Sequence, residues 1–135
     1  MREVQVGDGK VLRLKGSPLS LLYYQQEFGR DLLGDLAGML TGLVGAQALA
    51  VGKVDATKLN FSALDSVAIL RLVWTLARTD VGPAGKFPGF EAWLAENEDL
   101  NIFDVDLLQA VFEEVQQAFF RPGKTVAPAA QGKRV

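Results

Sequence analysis

GSPLSLLYYQQEFGRDLLGDL, residues Gly16 to Leu36, is where this chain changes its hydrophobic period, and that change decides the fold. Upstream, Arg2–Val6 and Lys10–Lys15 alternate apolar and polar residues about Gly7-Asp8-Gly9. A period of two around a glycine turn predicts a small β-hairpin. A lone hairpin is marginal in water, so Val4, Val6, Leu12 and Leu14 need another element to face. Within the stretch, Ser17-Pro18 predicts a helix start: serine caps the first free N–H groups, and proline loses nothing at the first helical position. Leu19, Leu22, Tyr23 and Gln26 share a face, and Gly29 is a natural C-terminal stop. A second helix is expected from about Asp31 to Val51. Its glycines cost ~1 kcal/mol each relative to alanine, so packing must hold it.

Downstream, Ser62-x-x-Asp65 resembles a capping box and opens a helix running through Arg78. Leu64, Val67, Ala68, Arg71, Leu72, Thr75 and Leu76 lie along one side, and Ile69, Val73 and Trp74 widen the apolar face. That helix is expected at the centre of the core. Asp80–Gly89 reads as a loop, Phe90–Glu96 as a short helix, and a last helix begins near Asn101 or Asp104. Leu107, Leu108, Val111, Phe112, Val115 and Phe119 give the last helix an amphipathic stripe. The resulting fold class is mainly α: a small helical domain with an N-terminal β-hairpin. One domain is expected over residues 1–121, with residues 122–135 a disordered basic tail.

Composition narrows the function. The 135 residues suffice for one core, and 49% hydrophobic with 22% charged residues is a globular balance. There is no cysteine, which removes disulfides, thiolate catalysis and cysteine-based zinc sites. There is no histidine either, the commonest general base and metal ligand. No enzyme activity, cofactor or small-molecule substrate is therefore expected. A pI near 5.1 speaks against nucleic acid, whose phosphates need a positive surface. The opening MREVQVGDG lacks the apolar core of a secretion signal, so the cytosol is the expected compartment.

Leu36 to Gly52 passes without a charge, which raises an alternative: a small membrane-interacting protein using that segment. Gln47, Thr41, the glycines and the lack of aromatic anchors argue against a span. Gly34, Gly38, Gly42, Ala46 and Ala50 recur every fourth residue and predict a smooth helix face open to close approach by another helix.

Carboxylates are the abundant catalytic candidates. Glu91, Glu96, Glu98, Asp99, Asp104, Asp106, Glu113 and Glu114 follow one another with no lysine or arginine between Phe87 and Phe120. Asp104-x-Asp106 lacks the glycine and distal glutamate of a calcium loop, so no metal is expected and a solvated acidic face is the simpler reading. Gly7-x-Gly9 and Gly82-x-x-Gly85 are too short for phosphate loops. Most aromatic residues read as core. Phe87-Pro88-Gly89-Phe90 is the exception, two rings beside a flexible loop that can anchor a partner. The candidate partner-binding residues are thus Phe87 and Phe90 with Leu108, Phe112, Val115 and Phe119 from the last stripe.

Taken in order, the opening stretch with Glu27-Phe28-Gly29-Arg30-Asp31-Leu32-Leu33, then Leu72–Arg78, Phe90–Leu94 and Asn101–Val105, resembles the tail assembly chaperones of long-tailed phages and prophages of Gram-positive bacteria. The resemblance spans about Val4 to Phe120 and rests on the ordered combination. It implies a protein of the host cytoplasm that binds the tape measure protein, shields its hydrophobic helices, and helps recruit tail tube protein. Such proteins do not remain in the virion. Self-association is also possible for such a chain, while neither nucleic acid nor membrane is expected as a partner. The glycine- and alanine-rich Gly34–Gly52 segment departs from that pattern.

Overall fold

A computed structural model describes residues 1–6, 9–44 and 65–119. The hairpin forms as the alternation requires. Strand β1 (Arg2–Val6) pairs antiparallel with β2 (Lys10–Leu14) in a continuous register from Arg2↔Leu14 to Val6↔Lys10. Gly9 closes the turn at φ 72°, a left-handed conformation that glycine adopts without Cβ strain. Val4, Val6, Leu12 and Leu14 are buried, and Glu3, Gln5, Val11 and Arg13 face out.

Among the described residues five helices follow: α1 (Pro18–Phe28), α2 (Leu32–Val44), α3 (Ser66–Val81), α4 (Phe90–Glu96) and α5 (Val105–Phe119). The molecule is mainly helical with an N-terminal hairpin, as expected. Ser17 caps α1 by accepting from Leu19 N at 3.2 Å, and Ser17 N in turn donates to Ser20 Oγ at 3.3 Å. Gly29, at φ 67°, ends it. Asp104 Oδ1 accepts from Asp106 N at 2.9 Å and so opens α5.

Helix α3 forms the centre of the core, with Ile69, Leu72, Val73, Trp74 and Leu76 all buried. The inner face of β2 lies on it, and Lys15 N donates to Leu76 O at 3.1 Å. Helix α5 packs against β1 and closes the other side. Gly16 is required where these elements meet, because a Cβ there would stand 2.7 Å from Ala118 Cβ.

Four expectations need correction. Helix α3 starts at Ser66 and is capped by Asp65, whose Oδ1 accepts from Ala68 N at 3.1 Å. Ser62 and Leu64 lie outside the described residues. The same helix runs three residues past Arg78, to Val81, and Val67 is 49% exposed at its outer end. The buried face of α1 is Ser20, Tyr23 and Tyr24, while Leu22 and Gln26 point to solvent. Polar pairing across elements turns that helix: Ser20 Oγ lies 2.7 Å from Thr79 Oγ1, and Tyr24 reaches the carboxylate of Asp35. Finally, Glu114 is not part of a solvated acidic face but is 4% exposed. Its Oε2 accepts from Gly16 N at 2.9 Å and faces the Met1 amino group at 3.5 Å. Its Oε1 sits 3.4 Å from Arg2 Nε, close enough for an ion pair but not aligned as a hydrogen bond. One carboxylate thus ties β1, the β2–α1 junction and α5 together. The residues from Gly45 to Leu64 and from Phe120 onward, including the expected basic tail, lie outside the described residues.

Candidate functional site

The six residues expected to meet a partner do not form one exposed surface. Leu108, Phe112 and Val115 are 0% exposed, spent on the core against the hairpin and α3. Phe119 is half-buried against the same core. For Leu108, Phe112 and Val115 the stripe is a packing seam, which corrects their expected exposure to a partner, while Phe119 keeps part of its ring at the surface. Phe87 and Phe90 are half-buried in an aromatic cluster. Phe28 stands edge-on to Trp74 at 5.4 Å and to Phe90 at 5.0 Å, and Trp74 meets Phe87 at 6.0 Å. Trp74 Nε1 donates to Pro88 O at 3.0 Å, and Phe90 N donates to Glu27 Oε2 at 2.7 Å. Those bonds fasten the loop that the sequence suggested was flexible.

The open surface lies on the other side of Phe28. Gly29 turns the chain so that Arg30 and Asp35 flank the start of α2. Arg30 Nε donates to Asp35 Oδ2 at 2.6 Å and Nη2 to Oδ1 at 2.9 Å, a two-pronged pair. The Tyr24 phenol donates to Asp35 Oδ2 at 2.7 Å. These donors, Arg30 first, hold the Asp35 carboxyl below its ordinary range against the opposing effect of burial. Burial and the adjacent carboxylate push the Tyr24 hydroxyl up to about 12. Near neutral pH one group stays ionised and the other stays protonated, so neither is poised for proton transfer.

Beside this network a cavity of about 360 Å³ opens between α2 and α3, with Gly34, Gly38 and Met39 on one wall and Ala68, Arg71 and Asp65 on the other. Asp35 is paired with Arg30 and Asp65 caps α3, while Arg71 makes no ion pair among the described residues and its charge acts on Asp35 and Tyr24. Its guanidinium carbon lies 5.9 Å from the Phe28 ring centre, and its Nε is buried with no hydrogen-bond partner among the described residues. Around the rim, α2 buries Leu32 and Leu36 and turns Leu33, Gly34, Ala37 and Gly38 outward. A Cβ added at Gly38 would meet nothing within 4 Å among the described residues. The arrangement offers a second helix a close seat: a smooth face, a shallow cavity and a charged rim.

Sequence reasoning identified the small residues at positions 34 and 38 but not the Tyr24–Asp35–Arg30 network or Arg71. A signal for the pair existed in two opposite charges five residues apart, directly after a helix-stopping glycine. The chain matches no family model, no curated protein and no solved structure. Among the described residues, no helix is long and apolar enough to cross a membrane.

Proposed function

We propose that this chain is a tail assembly chaperone of a long-tailed phage or prophage. In this reading it acts by binding alone, in the host cytoplasm. It holds the helices of the tape measure protein during tail building, helps recruit tail tube subunits, and is left out of the virion. The observation that carries the reading is the outward face of α2, where Leu33, Gly34, Ala37 and Gly38 present a nearly flat apolar surface beside an open cavity. A holdase for long apolar helices needs such a seat, which admits a helix backbone closely without a deep, sequence-specific pocket. Further support comes from the segments that carry the family resemblance. Phe28, Trp74 and Phe90, from three of them, meet edge-to-face in one cluster directly behind Arg71.

The test is co-expression with the very long helix-rich reading frame expected to lie next to this gene. The parent protein is expected to keep that product soluble and to co-purify with it. Gly38→Leu places a side chain in open space, so the thermal midpoint stays near the parent's while the client is lost to the pellet. A Gly38→Leu protein that folds normally and still retains the client would move the seat off α2. A parent protein that captures nothing would remove the chaperone reading itself.

A further inference from the structure

The hairpin carries a second surface, independent of α2 and of the chaperone reading. Strand β1 pairs only with β2 among the described residues, so its other edge presents unpaired backbone groups. Natural edge strands are protected by shortness, charged side chains, proline, a bulge or a covering element, and β1 has the first two: five residues, with Arg2 and Glu3 both held in ion pairs. β1 reads REVQV, with no proline and no lysine, and its register carries no bulge.

A groove of about 370 Å³ runs beside this edge. Its lining includes four consecutive residues of β1, Arg2 to Gln5. Successive strand residues point to opposite faces, so only a groove along the edge touches all four. The opposite wall is Asp106, Gln109, Ala110 and Glu113, which is one i, i+3, i+4, i+7 stripe of α5. Arg2 pairs with Glu113 at 3.2 Å, so the strand and helix run in opposite directions along the groove. Their lengths match: three strand steps of ~3.4 Å and seven helical steps of ~1.5 Å both give about 10 Å.

The groove is acidic. Its charged lining is Arg2 against Glu3, Asp106 and Glu113, one cation and three carboxylates, or −2. Arg2 is held by Glu113 and Glu114, and Glu3 also meets Arg13 at 3.1 Å. Asp106 makes no ion pair among the described residues.

We propose that the outer edge of β1 takes an extended, basic segment of another polypeptide as a third strand, seated in the groove against α5. Backbone hydrogen bonds to alternate residues of β1 supply the register, and cationic side chains on the segment meet Asp106, Glu113 and Glu3. Complementary charge sets which segments are admitted.

The test titrates the full chain with two short end-blocked peptides, one alternating lysine with valine and one alternating glutamate with valine, read by amide proton–nitrogen NMR. The lysine peptide is expected to shift the amides of β1 and of Asp106 to Glu113, and the glutamate peptide to leave them in place. N-methylation of alternate peptide residues removes ladder donors and should weaken binding at least ~tenfold. Asp106→Lys should weaken it several-fold, with the thermal midpoint lowered only by the few degrees that a cation in the first turn of α5 costs. Equal binding of both peptides, or binding indifferent to N-methylation, would overturn the proposal. So would β1 shifts on simple concentration of the protein, which would give the edge to a second copy. Shifts at β1 on ending the chain at Gly123 would give the groove to the chain's own basic end, and would overturn it equally.

Discussion

Helices α5 and α2 are both rich in apolar residues, and the fold uses them in opposite ways. Helix α5 sinks Leu107, Leu108, Val111, Phe112 and Val115 to 0% exposure. Helix α2 buries Leu32 and Leu36 and leaves Leu33 39% exposed beside Gly34, Ala37 and Gly38. A strong amphipathic stripe buries so much area per turn that a small domain needs it for its own core. Surface is left over on the weaker, glycine-bearing helix, which contributes less to folding. The best-formed apolar stripe in a short chain is therefore a poor guide to where a partner sits.

The largest test of this contrast is Phe112→Ala. Removing a ring with no exposure should destabilise the protein by ~3–5 kcal/mol, while Leu33→Ala should stay within ~0.5 kcal/mol. Urea unfolding followed by circular dichroism measures both. Similar midpoints for the two variants would show that α5 is not the seam described and would return its stripe to the partner-binding surface.

Glu114 sharpens the same boundary, being an acid on the core side of α5. Glu114→Ala leaves the Gly16 N–H and the Arg2 guanidinium facing an emptied site. The expected cost is ~2–3 kcal/mol, below the full cost of breaking a buried pair because Arg2 is 28% exposed. Glu114→Gln keeps an acceptor for Gly16 and should recover about half of that loss. A Glu114→Ala protein as stable as the parent would make the carboxylate an ornament of the surface.

The α1–α2 corner makes a prediction in pH. Tyr24 is pushed up to about 12 from 10.0. The folded state therefore holds the phenol proton more tightly than the unfolded chain, and stability falls as pH rises from 10 towards 12. Asp35 is shifted the other way, so its contribution is present above the ordinary carboxylate range and is lost as pH falls below it. Tyr24→Phe removes one hydrogen bond to Asp35, worth ~1 kcal/mol at neutral pH. It also removes the alkaline loss. The thermal midpoints of parent and variant should converge above pH 10, and parallel curves through that range would refute the buried, bonded phenol.

The hairpin, the Ser17-Pro18 start, the Gly29 stop and the short Phe90–Glu96 helix were legible because nearby residues determine them, and the start of the last helix was narrowed to Asn101 or Asp104. The face of α1 was not. Ser20 and Tyr24 turn inward because Thr79 and Asp35 satisfy them, and neither partner is visible from helical spacing alone. Glu114 was open to a better reading: it follows Val111 by three residues and adjoins Val115, which puts it on the inner face of α5. The candidate site failed for a different reason. Periodicity says that a face is apolar, not whether the core or a partner covers it.

Gly38→Ala is the smallest effect and separates folding from binding on α2. Alanine is better than glycine in a helix by ~1 kcal/mol, through the backbone freedom that glycine loses on folding. At a tightly packed position that gain is cancelled by a clash, but a Cβ at Gly38 meets nothing within 4 Å among the described residues. The variant should therefore be more stable than the parent by ~0.5–1 kcal/mol, measured as a higher urea midpoint at unchanged slope. If α2 seats a client helix, the added methyl stands where the two backbones would touch, and the stabilised protein should hold that client less well. Stability and binding would then move in opposite directions from one methyl group. A destabilised Gly38→Ala would show that this face is already covered, and the contrast between α2 and α5 would close.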